Sequence, residues 1–396
     1  MTKHRPVVAS AAAIAAAALG LGACGSPEPG GAGSPSTHTV GTGTAPPTIA
    51  VQIGFFGPLS GADSALGRAI EDGEKLAVSQ YMVGRPRVVV TVDPFDSQGD
   101  PGRARAGAQR LVSDKDVAVV GPSSSGGSTV ADPYFQRAGI PHVTASATSV
   151  ALAQAGDTSF YRAVADDSVQ GLGDANYLVK TLGANTVAVI DDQSSYGQGV
   201  ADYFRSQLSN DGATDVVDDH IDPNGQDYSS TVDKILAAKP AAVFYGGSYG
   251  AAGRLIVQLK DQGYAGSIMT SGGSEDPRLL ADAGGSAAEG AYLTCVCEDT
   301  SSIASAATFN TAFQAAYGTP PPAYSVEGYD ITDFLLAAIE AGNTTPSAIN
   351  HYLQTSSWEG VTRTIKFHPD GNVVGGTVYI YQVKRGKIVQ VGTAPS

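Results

Sequence analysis

A repeated alternation of short apolar runs with amphipathic segments limits the fold of this chain more than any other feature. The segments between the runs have helical spacing, as in Ile70, Leu76, Ala77 and Tyr81. Apolar runs without polar alternation indicate parallel strands that are buried on both faces. The alternation therefore predicts an α/β protein with doubly wound parallel sheets. The runs, each bounded by Gly, Pro or Asp, are 49–56, 88–92, 117–120, 187–190 and 241–245.

The alternation starts twice, which predicts two α/β lobes. One set of elements ends near residue 164, and another runs from about residue 166 to residue 296. Later residues favour helices and then a terminal β pair at 363–367 and 377–383, separated by the turn residues 368–372. These late elements are too few for a third domain, so we expect them to complete the two lobes.

Loops that follow the predicted strands are the expected ligand-binding region, because ligands of open parallel sheets bind beyond the carboxyl ends of strands. These loops are rich in Ser, Thr and Gly and contain no Lys or Arg. Uncharged donors at helix N-termini suit a small anionic group such as a carboxylate, and no phosphate-binding glycine motif follows a strand. The loops are 57–67, 93–102, 121–128, 144–149, 191–199, 246–250 and 270–277.

The N-terminal segment predicts export and a lipid on Cys24. Lys3 and Arg5 precede an apolar run at 7–21, which is too short to span a bilayer as a mature helix. The run ends in Leu-Gly-Ala-Cys at 21–24, which is similar to the lipobox of bacterial lipoproteins; the alternative is an ordinary signal peptide with a chance Cys. We expect a signal peptide at 1–23, and a lipidated Cys24 with a flexible tether at 24–47. The body would then lie at the extracellular face of the cell membrane.

The charge balance argues against nucleic acid as a partner. The sequence has a net charge of −14, and removal of residues 1–23 takes away Lys3 and Arg5, which leaves 22 basic against 38 acidic residues and a net charge of −16. Such a surface repels phosphate backbones. The His residues show no metal-ligand spacing, so we expect no metal and no cofactor.

Cys295 and Cys297 lie in a strand-like segment, 291–297, where residues two apart point to one face. Outside the cell the two sulfurs could form a disulfide. The alternative is a pair of buried free thiols. A metal pair is disfavoured because no further ligand lies at zinc spacing.

Taken together, several motifs resemble the leucine/isoleucine/valine-binding family of periplasmic binding proteins, which serve ABC importers. The resemblance covers residues 49–392 and implies the type I periplasmic binding protein fold, whose two lobes are joined by three crossovers and close on a ligand. The motifs are IGFFGPLSG at 53–61, DPFDSQGDP at 93–101, VGPSSSG at 120–126, IPHVTASAT at 140–148, SSYGQG at 194–199, FYGGSYG at 244–250 and the dipeptide Tyr329-Asp330.

The resemblance also implies a division of the chain and a set of partners. Crossovers are expected near 164–167, 294–299 and 358–362, which gives lobe 1 residues 48–164 plus 299–357 and lobe 2 residues 165–298 plus 358–396. The expected partners are a small-molecule ligand and a membrane permease, and the expected state is a monomer.

Site residues are carried over from the family motifs one at a time. Ser125 matches the serine that holds the ligand carboxylate, and Tyr196 and Tyr324 match aromatics that close and wall the pocket. Ser125 and Thr148 could instead serve only as helix caps. The loop residues implied to add backbone and hydroxyl contacts are Ser146, Ala147 and Thr148.

Other positions depart from the family pattern. Leu66 replaces an aromatic of the first loop, and Ser248, with Tyr249 beside it, replaces the pocket tyrosine. Gly272 aligns with the acid that pairs the α-amino group of the ligand, and Glu275 or Asp276 could take its place. The sequence therefore leaves open whether the ligand is an amino acid or an organic acid without an amine.

The sequence leaves two alternative functions open. Residues 246–250 satisfy G-x-S-x-G after a strand, the context of a hydrolase nucleophile at Ser248, with Asp299 or Asp330 and His351 or His368 as partners. No oxyanion-hole motif precedes it, so an enzyme is not expected. A ligand sensor of the same fold, which would dock on a signalling receptor, is the other alternative.

Overall fold

The computed structural model describes residues 49–84 and 86–395; the predicted signal peptide, Cys24 and the tether lie outside them. The strands are β1 (Ile49–Gly57), β2 (Val88–Asp96), β3 (Ala118–Val120), β4 (His142–Thr144), β5 (Phe160–Arg162), β6 (Thr186–Asp191), β7 (Thr214–His220), β8 (Ala242–Gly246), β9 (Ser267–Thr270), β10 (Tyr292–Cys295), β11 (Trp358–Glu359), β12 (Thr364–Ile365), β13 (Tyr379–Lys384) and β14 (Lys387–Thr393). The α-helices are α1 (Ser64–Val83), α2 (Pro101–Asp114), α3 (Ser125–Ala138), α4 (Val150–Gln154), α5 (Asp167–Asn176), α6 (Ser195–Asn210), α7 (Ser229–Ala238), α8 (Tyr249–Asp261), α9 (Arg278–Asp282), α10 (Ala307–Tyr317), α11 (Ser325–Glu340) and α12 (Pro346–Thr355).

The first sheet is parallel throughout and has the order β2-β1-β3-β4-β5. Its central strand β1 is buried on both faces, with Ile53 and Phe55 fully inside. Helices cover both faces, which is the arrangement that continuous apolar strands require. The order reverses direction at β1, so the loops after β1 and β3 diverge and leave a crevice between them.

The second sheet repeats this plan with the order β14-β13-β10-β9-β8-β6-β7. Strands β7, β6, β8, β9 and β10 are parallel to one another, whereas β13 and β14 add antiparallel at the β10 edge. Its reversal point lies between β6 and β8, so the loops after these two strands diverge in the same way. The predicted α/β class with two doubly wound parallel sheets is confirmed.

Late helices return to the first sheet. Helix α11 packs along α1, and glycines make this close approach: a Cβ on Gly73 would overlap the backbone of α11, and a Cβ on Gly328 would overlap the backbone of α1. Phe309 and Phe313 of α10 pack beside the same pair of helices. We call the first sheet with its helices and α10–α12 lobe 1, and the second sheet with its helices lobe 2.

The predicted terminal β pair is wrong. Residues 364–365 pair with 358–359 instead, and β13 pairs with β10 and β14. The reason is aromatic packing: Trp358 and Phe367 both stack on Phe334 of α11, which keeps this stretch on lobe 1. Beyond this stretch, Asn372 pairs with Arg162 of β5, and Val373 pairs with Phe367.

Arg162 is fully buried at the end of β5, and its side chain contacts three separate segments of the chain. Its guanidinium donates to the carbonyl oxygen of Ser149 at 2.8 Å and to Oδ1 of Asn372, and it pairs with Asp166 at 3.5 Å. It thereby joins a loop beside the sheet edge, the first crossover and the segment that follows β12.

Cys295 and Cys297 form a disulfide in the structure. Both residues are buried, and the bridge lies where the chain leaves β10 for lobe 1. No cluster suited to a metal ion occurs within 49–84 and 86–395. Over the same ranges, the structure contains no helix with the length and apolarity needed to cross a bilayer.

A buried ionisable triad lies in lobe 1, away from the sheet edge. Nδ1 of His142 donates to the carbonyl oxygen of Ile140 at 3.1 Å, so its Nε2 faces carboxylate oxygens of Asp157 at 3.4 Å and Asp132 at 3.6 Å. Burial and then the charge of Asp157 raise the pKa of Asp132 well above its usual range, and burial lowers the pKa of His142. Burial therefore favours the uncharged forms of both Asp132 and His142.

The triad makes stability depend on pH. A raised pKa in the folded state gives a contribution that is complete below about pH 4 and is lost as the pH rises through the folded-state value. Between about pH 5 and pH 8, we expect the free energy of unfolding of the wild type to fall by about 1 kcal/mol more than that of Asp132→Asn. Urea unfolding measures this difference. Asp202→Asn, at an exposed position, should follow the wild type; a parallel profile for Asp132→Asn would contradict the assignment.

Candidate ligand-binding site

A cavity of about 590 Å³ lies between the two lobes, at the carboxyl ends of their parallel strands. Lobe 1 contributes the loops after β1, β2, β3 and β4 and the segment before α11, and lobe 2 contributes the loops after β6, β7, β8 and β9. These loops include the ones that diverge at the reversal points of the two sheets, which is where open α/β sheets bind ligands. The volume suits a small molecule.

Serine hydroxyls line the lobe 1 wall at the start of α3. Ser124 is the N-cap, since its Oγ accepts from the N–H of Gly127 at 3.2 Å. Ser125 is only 2% exposed, and its Oγ accepts from the N–H of Ser149 at 3.2 Å. The hydrogen of the Ser125 hydroxyl has no acceptor among the residues that the structure describes, so it can be donated to a ligand.

Of the three neighbouring loop residues singled out from the sequence, only Ser146 lines the cavity. Its hydroxyl donates to the carbonyl oxygen of Ser123 at 2.7 Å. Ala147 and Thr148 lie behind the wall: the N–H of Ala147 donates to Thr144, and the carbonyl oxygen of Thr148 accepts from the N–H of Asp167 at 2.8 Å. Thr148 therefore supports the first crossover.

The side chains of Tyr196, Tyr324 and Gln170 surround Gly272 at the inner end of the cavity. A Cβ on Gly272 would lie 3.4 Å from the hydroxyl oxygens of both Tyr196 and Tyr324. The Tyr196 hydroxyl accepts from the N–H of Gly273 at 3.1 Å and from the amide of Gln170 at 3.3 Å. Tyr324 is only 7% exposed, and its hydroxyl has no hydrogen-bond partner within the described chain. The absence of a side chain at 272 thus lets these polar groups approach the backbone closely.

Carboxylates supply all of the ionisable charge on the cavity wall. The described lining residues include no Lys, Arg or His. Burial, together with the nearby Asp276, Asp299 and Glu327, raises the pKa of Glu275 to about 8. The sequence analysis did not single out Asp63 or Asp192, although both follow predicted strands, in loops 57–67 and 191–199 that were expected to bind the ligand. The wall carboxylates are Asp63, Asp192, Glu275 and Asp276.

The lobes touch across the mouth of the cavity. Tyr249 of lobe 2 donates its hydroxyl to the carbonyl oxygen of Ala62 in lobe 1. The guanidinium of Arg278 lies 4.3 Å from the centre of the Tyr249 ring and pairs with Asp276 at 2.9 Å. The structure therefore shows the closed arrangement, in which Leu66 also reaches the wall.

Ser248 has the geometry of a helix N-terminus and not that of a strained nucleophile. Its backbone is extended, with φ −86° and ψ 157°, and its N–H donates to Oδ2 of Asp192 at 3.3 Å. A nucleophile elbow needs a sharp, strained turn and a histidine beside the hydroxyl. The described wall of the cavity contains no histidine.

Comparison with known proteins agrees with the fold. A family model described as "Periplasmic binding protein" matches residues 50–387. The chain belongs to the periplasmic binding protein family. The Leu/Ile/Val-binding protein BraC3 of Rhizobium johnstonii is 28% identical over 349 residues, which are 86% of this chain and 93% of that protein. An amino acid binding protein of Pseudomonas aeruginosa is 29% identical over 336 residues, 84% of this chain and 90% of its own.

Solved structures of this family superpose closely. The branched-chain amino acid transporter substrate binding protein LivJ of Streptococcus pneumoniae, in complex with isoleucine, gives a TM-score of 0.81 at 26% identity and covers 87% of this chain and 100% of its own. A solute binding protein of R. palustris in complex with benzoate gives 0.79 at 22% identity over 87% of this chain and 97% of its own, which is a likeness of fold alone. The family resemblance and the type I fold predicted from the sequence are confirmed.

The contact between Tyr249 and Ala62 predicts a measurable effect on closure. Tyr249→Phe removes one hydrogen bond, worth about 1 kcal/mol, and keeps the ring under Arg278. We expect the open form to gain about fivefold in population relative to the closed form. Small-angle scattering of the unliganded protein should show a larger radius of gyration. Tyr203→Phe, on the exposed face of α6, is the control; equal radii for the two variants would contradict the role of the hydroxyl.

Proposed function

We propose that this protein is the extracellular solute-binding receptor of an ABC importer, and that its lobes close on a small carboxylate-bearing ligand. The observation that carries the proposal is the closed interlobe cavity, whose lobe 1 wall presents the unpaired hydroxyl hydrogen of Ser125 at the N-terminus of α3. Related proteins support it by their names, since LivJ is a transporter substrate binding protein that was crystallised with isoleucine.

Ser125 would hold the ligand carboxylate without a cationic partner. Its hydroxyl donates one hydrogen bond, and the first turn of the 14-residue helix α3 adds N–H groups and the positive end of the helix dipole. Once the carboxylate is bound to lobe 1, lobe 2 closes over it with Tyr196. Because the ligand contacts both lobes only in the closed form, binding shifts the population toward closure.

Glu275 is the acid that we propose to face a ligand amino group, because Gly272 offers no carboxylate. It lines the same inner end of the cavity and has no hydrogen-bond partner in the described part of the chain. A ligand ammonium group would stabilise the ionised form and lower its pKa from the value of about 8. Amino acids should therefore bind more tightly than the keto acids of the same skeleton.

The proposed lobes have their third crossover after residue 373. Lobe 1 would comprise 48–164 plus 299–373, and lobe 2 would comprise 165–298 plus 374–396. The pairing of Asn372 with Arg162 on one side, and of Tyr379 with Cys295 on the other, supports a boundary between them.

Attachment to the membrane is part of the same proposal. A lipid on Cys24, followed by the tether at 25–47, would hold a monomeric receptor within reach of its permease. We also propose that the protein has no hydrolase activity, because Ser248 has neither the strained turn nor the histidine of a nucleophile; labelling of Ser248 by a fluorophosphonate would contradict this.

Cell fractionation tests the anchor. Cys24→Ser removes the thiol that takes the lipid, so we expect the protein to move from the membrane fraction to the soluble exported fraction. A Ser→Ala change within the tether, at Ser34, should leave it in the membrane fraction. Retention of the Cys24→Ser protein in the membrane fraction would contradict lipid anchoring.

Ligand-dependent thermal stabilisation tests the binding function. A ligand that binds only the folded protein raises the melting temperature with its concentration. Among amino acids, keto acids and aromatic acids, we expect at least one carboxylate to do so. Ser125→Ala should weaken its binding about tenfold through loss of one charge-assisted hydrogen bond.

Ser128→Ala provides the matched control for that experiment. Ser128 is buried in the same helix, but it lies outside the cavity wall. We expect its affinity to match the wild type. Equal weakening by both substitutions would show that Ser125 acts only through the stability of α3. Absence of stabilisation by every carboxylate would contradict the proposed function.

A further inference from the structure

The hydroxyl group of Tyr324 lies at the inner end of the cavity without a hydrogen-bond partner. Tyr324 belongs to lobe 1, lines the cavity and is more than nine-tenths buried. Its hydroxyl oxygen would lie 3.4 Å from a Cβ on Gly272 of lobe 2, and no group of the described chain donates to it or accepts from it. A buried polar group left unpaired at a cavity wall indicates that a ligand supplies its partner.

The backbone of Tyr324 has an uncommon conformation. Its φ of 67° and ψ of −3° are in the left-handed region, which residues other than glycine rarely adopt. The turn is secured by Ser325, whose hydroxyl and N–H donate to the carbonyl oxygen of Pro322 at 2.6 and 3.2 Å. Residues held in such conformations cluster at ligand-binding sites, where the surrounding structure imposes the cost. The position of the Tyr324 side chain is therefore imposed by its turn.

The hydroxyl group of Tyr196 faces the same space from lobe 2. Its oxygen would also lie 3.4 Å from a Cβ on Gly272. It accepts from the N–H of Gly273 at 3.1 Å and from the amide of Gln170 at 3.3 Å, and these two bonds occupy both acceptor positions of a hydroxyl oxygen. Oε1 of Gln170, at 3.5 Å, is too distant to accept the hydroxyl hydrogen well. That hydrogen is therefore available to a ligand.

Two hydroxyl groups from opposite lobes thus face one space beside Gly272, and within the described chain no hydrogen bond joins them. A hydrocarbon group placed there would leave both hydroxyls buried and unpaired. An ammonium group could donate to Tyr324 but not to Tyr196, because both acceptor positions of Tyr196 are taken. An oxygen acceptor suits both hydroxyls.

We propose that the ligand carries, besides its carboxylate, a hydroxyl or carbonyl oxygen that accepts hydrogen bonds from Tyr324 and Tyr196. The proposal rests on the solute-binding function and names the substrate class: an amino acid or organic acid with an oxygen-bearing side chain. The oxygen would contact a hydroxyl of each lobe only when the lobes are closed, so it would favour closure.

Three pairs of probes test the proposal, since the members of each pair have nearly the same shape and differ by one hydroxyl group. They are threonine and valine, tyrosine and phenylalanine, and 4-hydroxybenzoate and benzoate. In at least one pair we expect the hydroxylated member to bind about 10- to 100-fold more tightly, as measured by calorimetry on the purified protein, because its partner leaves two buried donors unpaired.

Tyr324→Phe removes one of the two donors and keeps the ring. It should lower the affinity for the preferred member about tenfold and leave the affinity for its hydroxyl-free partner unchanged. Tyr329→Phe is the matched control, since it removes a hydroxyl from the same helix α11 that donates to Gln80 at 2.6 Å, outside the cavity wall. This variant should keep the preference of the wild type.

Two outcomes would overturn the proposal. Equal affinities within all three pairs, or no binding by any of the six probes, would exclude the oxygen-binding position; the solute-binding function would still stand if another carboxylate stabilises the protein. Equal weakening of both members of a pair by Tyr324→Phe would show that the hydroxyl contacts the carboxylate that they share. Failure of every carboxylate to bind would instead count against the solute-binding function itself.

Discussion

The chain passes three times between two sheets whose strands are mostly parallel, and the position of every cavity loop depends on those passages. They hold the carboxyl ends of both sets of strands toward one space, so that helix N-termini and polar loops face each other across it. Arg162 secures one passage from within lobe 1, and the disulfide of Cys295 and Cys297 lies at another.

Much of the fold could be predicted from the sequence, because buried parallel strands leave continuous apolar runs such as 187–190. The terminal elements could not. Residues 363–367 have a strand pattern, but Phe367 packs on Phe334 and Tyr161, which are distant in the sequence. Local spacing does not reveal such a contact, so the predicted pairing of the terminal strands was wrong.

For the site, the position of a residue after a strand end could be predicted from the sequence, but whether its side chain reaches the cavity wall could not. Ser125, Ser146 and Tyr196 reach the wall because they follow strand ends, and that is visible from the sequence. Thr148 follows a strand end as well, yet the first crossover takes up its carbonyl oxygen. Asp63 also lines the cavity, but it was overlooked because nothing in the local spacing separates it from the other polar residues of its loop.

We propose that the cavity between the lobes binds a carboxylate and that this binding favours closure. A crystal structure of the protein grown with the carboxylate that stabilises it most would test this directly. We predict a ligand carboxylate oxygen within about 3.2 Å of Ser125 Oγ, with the lobes closed around it. A ligand seated elsewhere, or one bound to a single lobe with the cavity open, would contradict it.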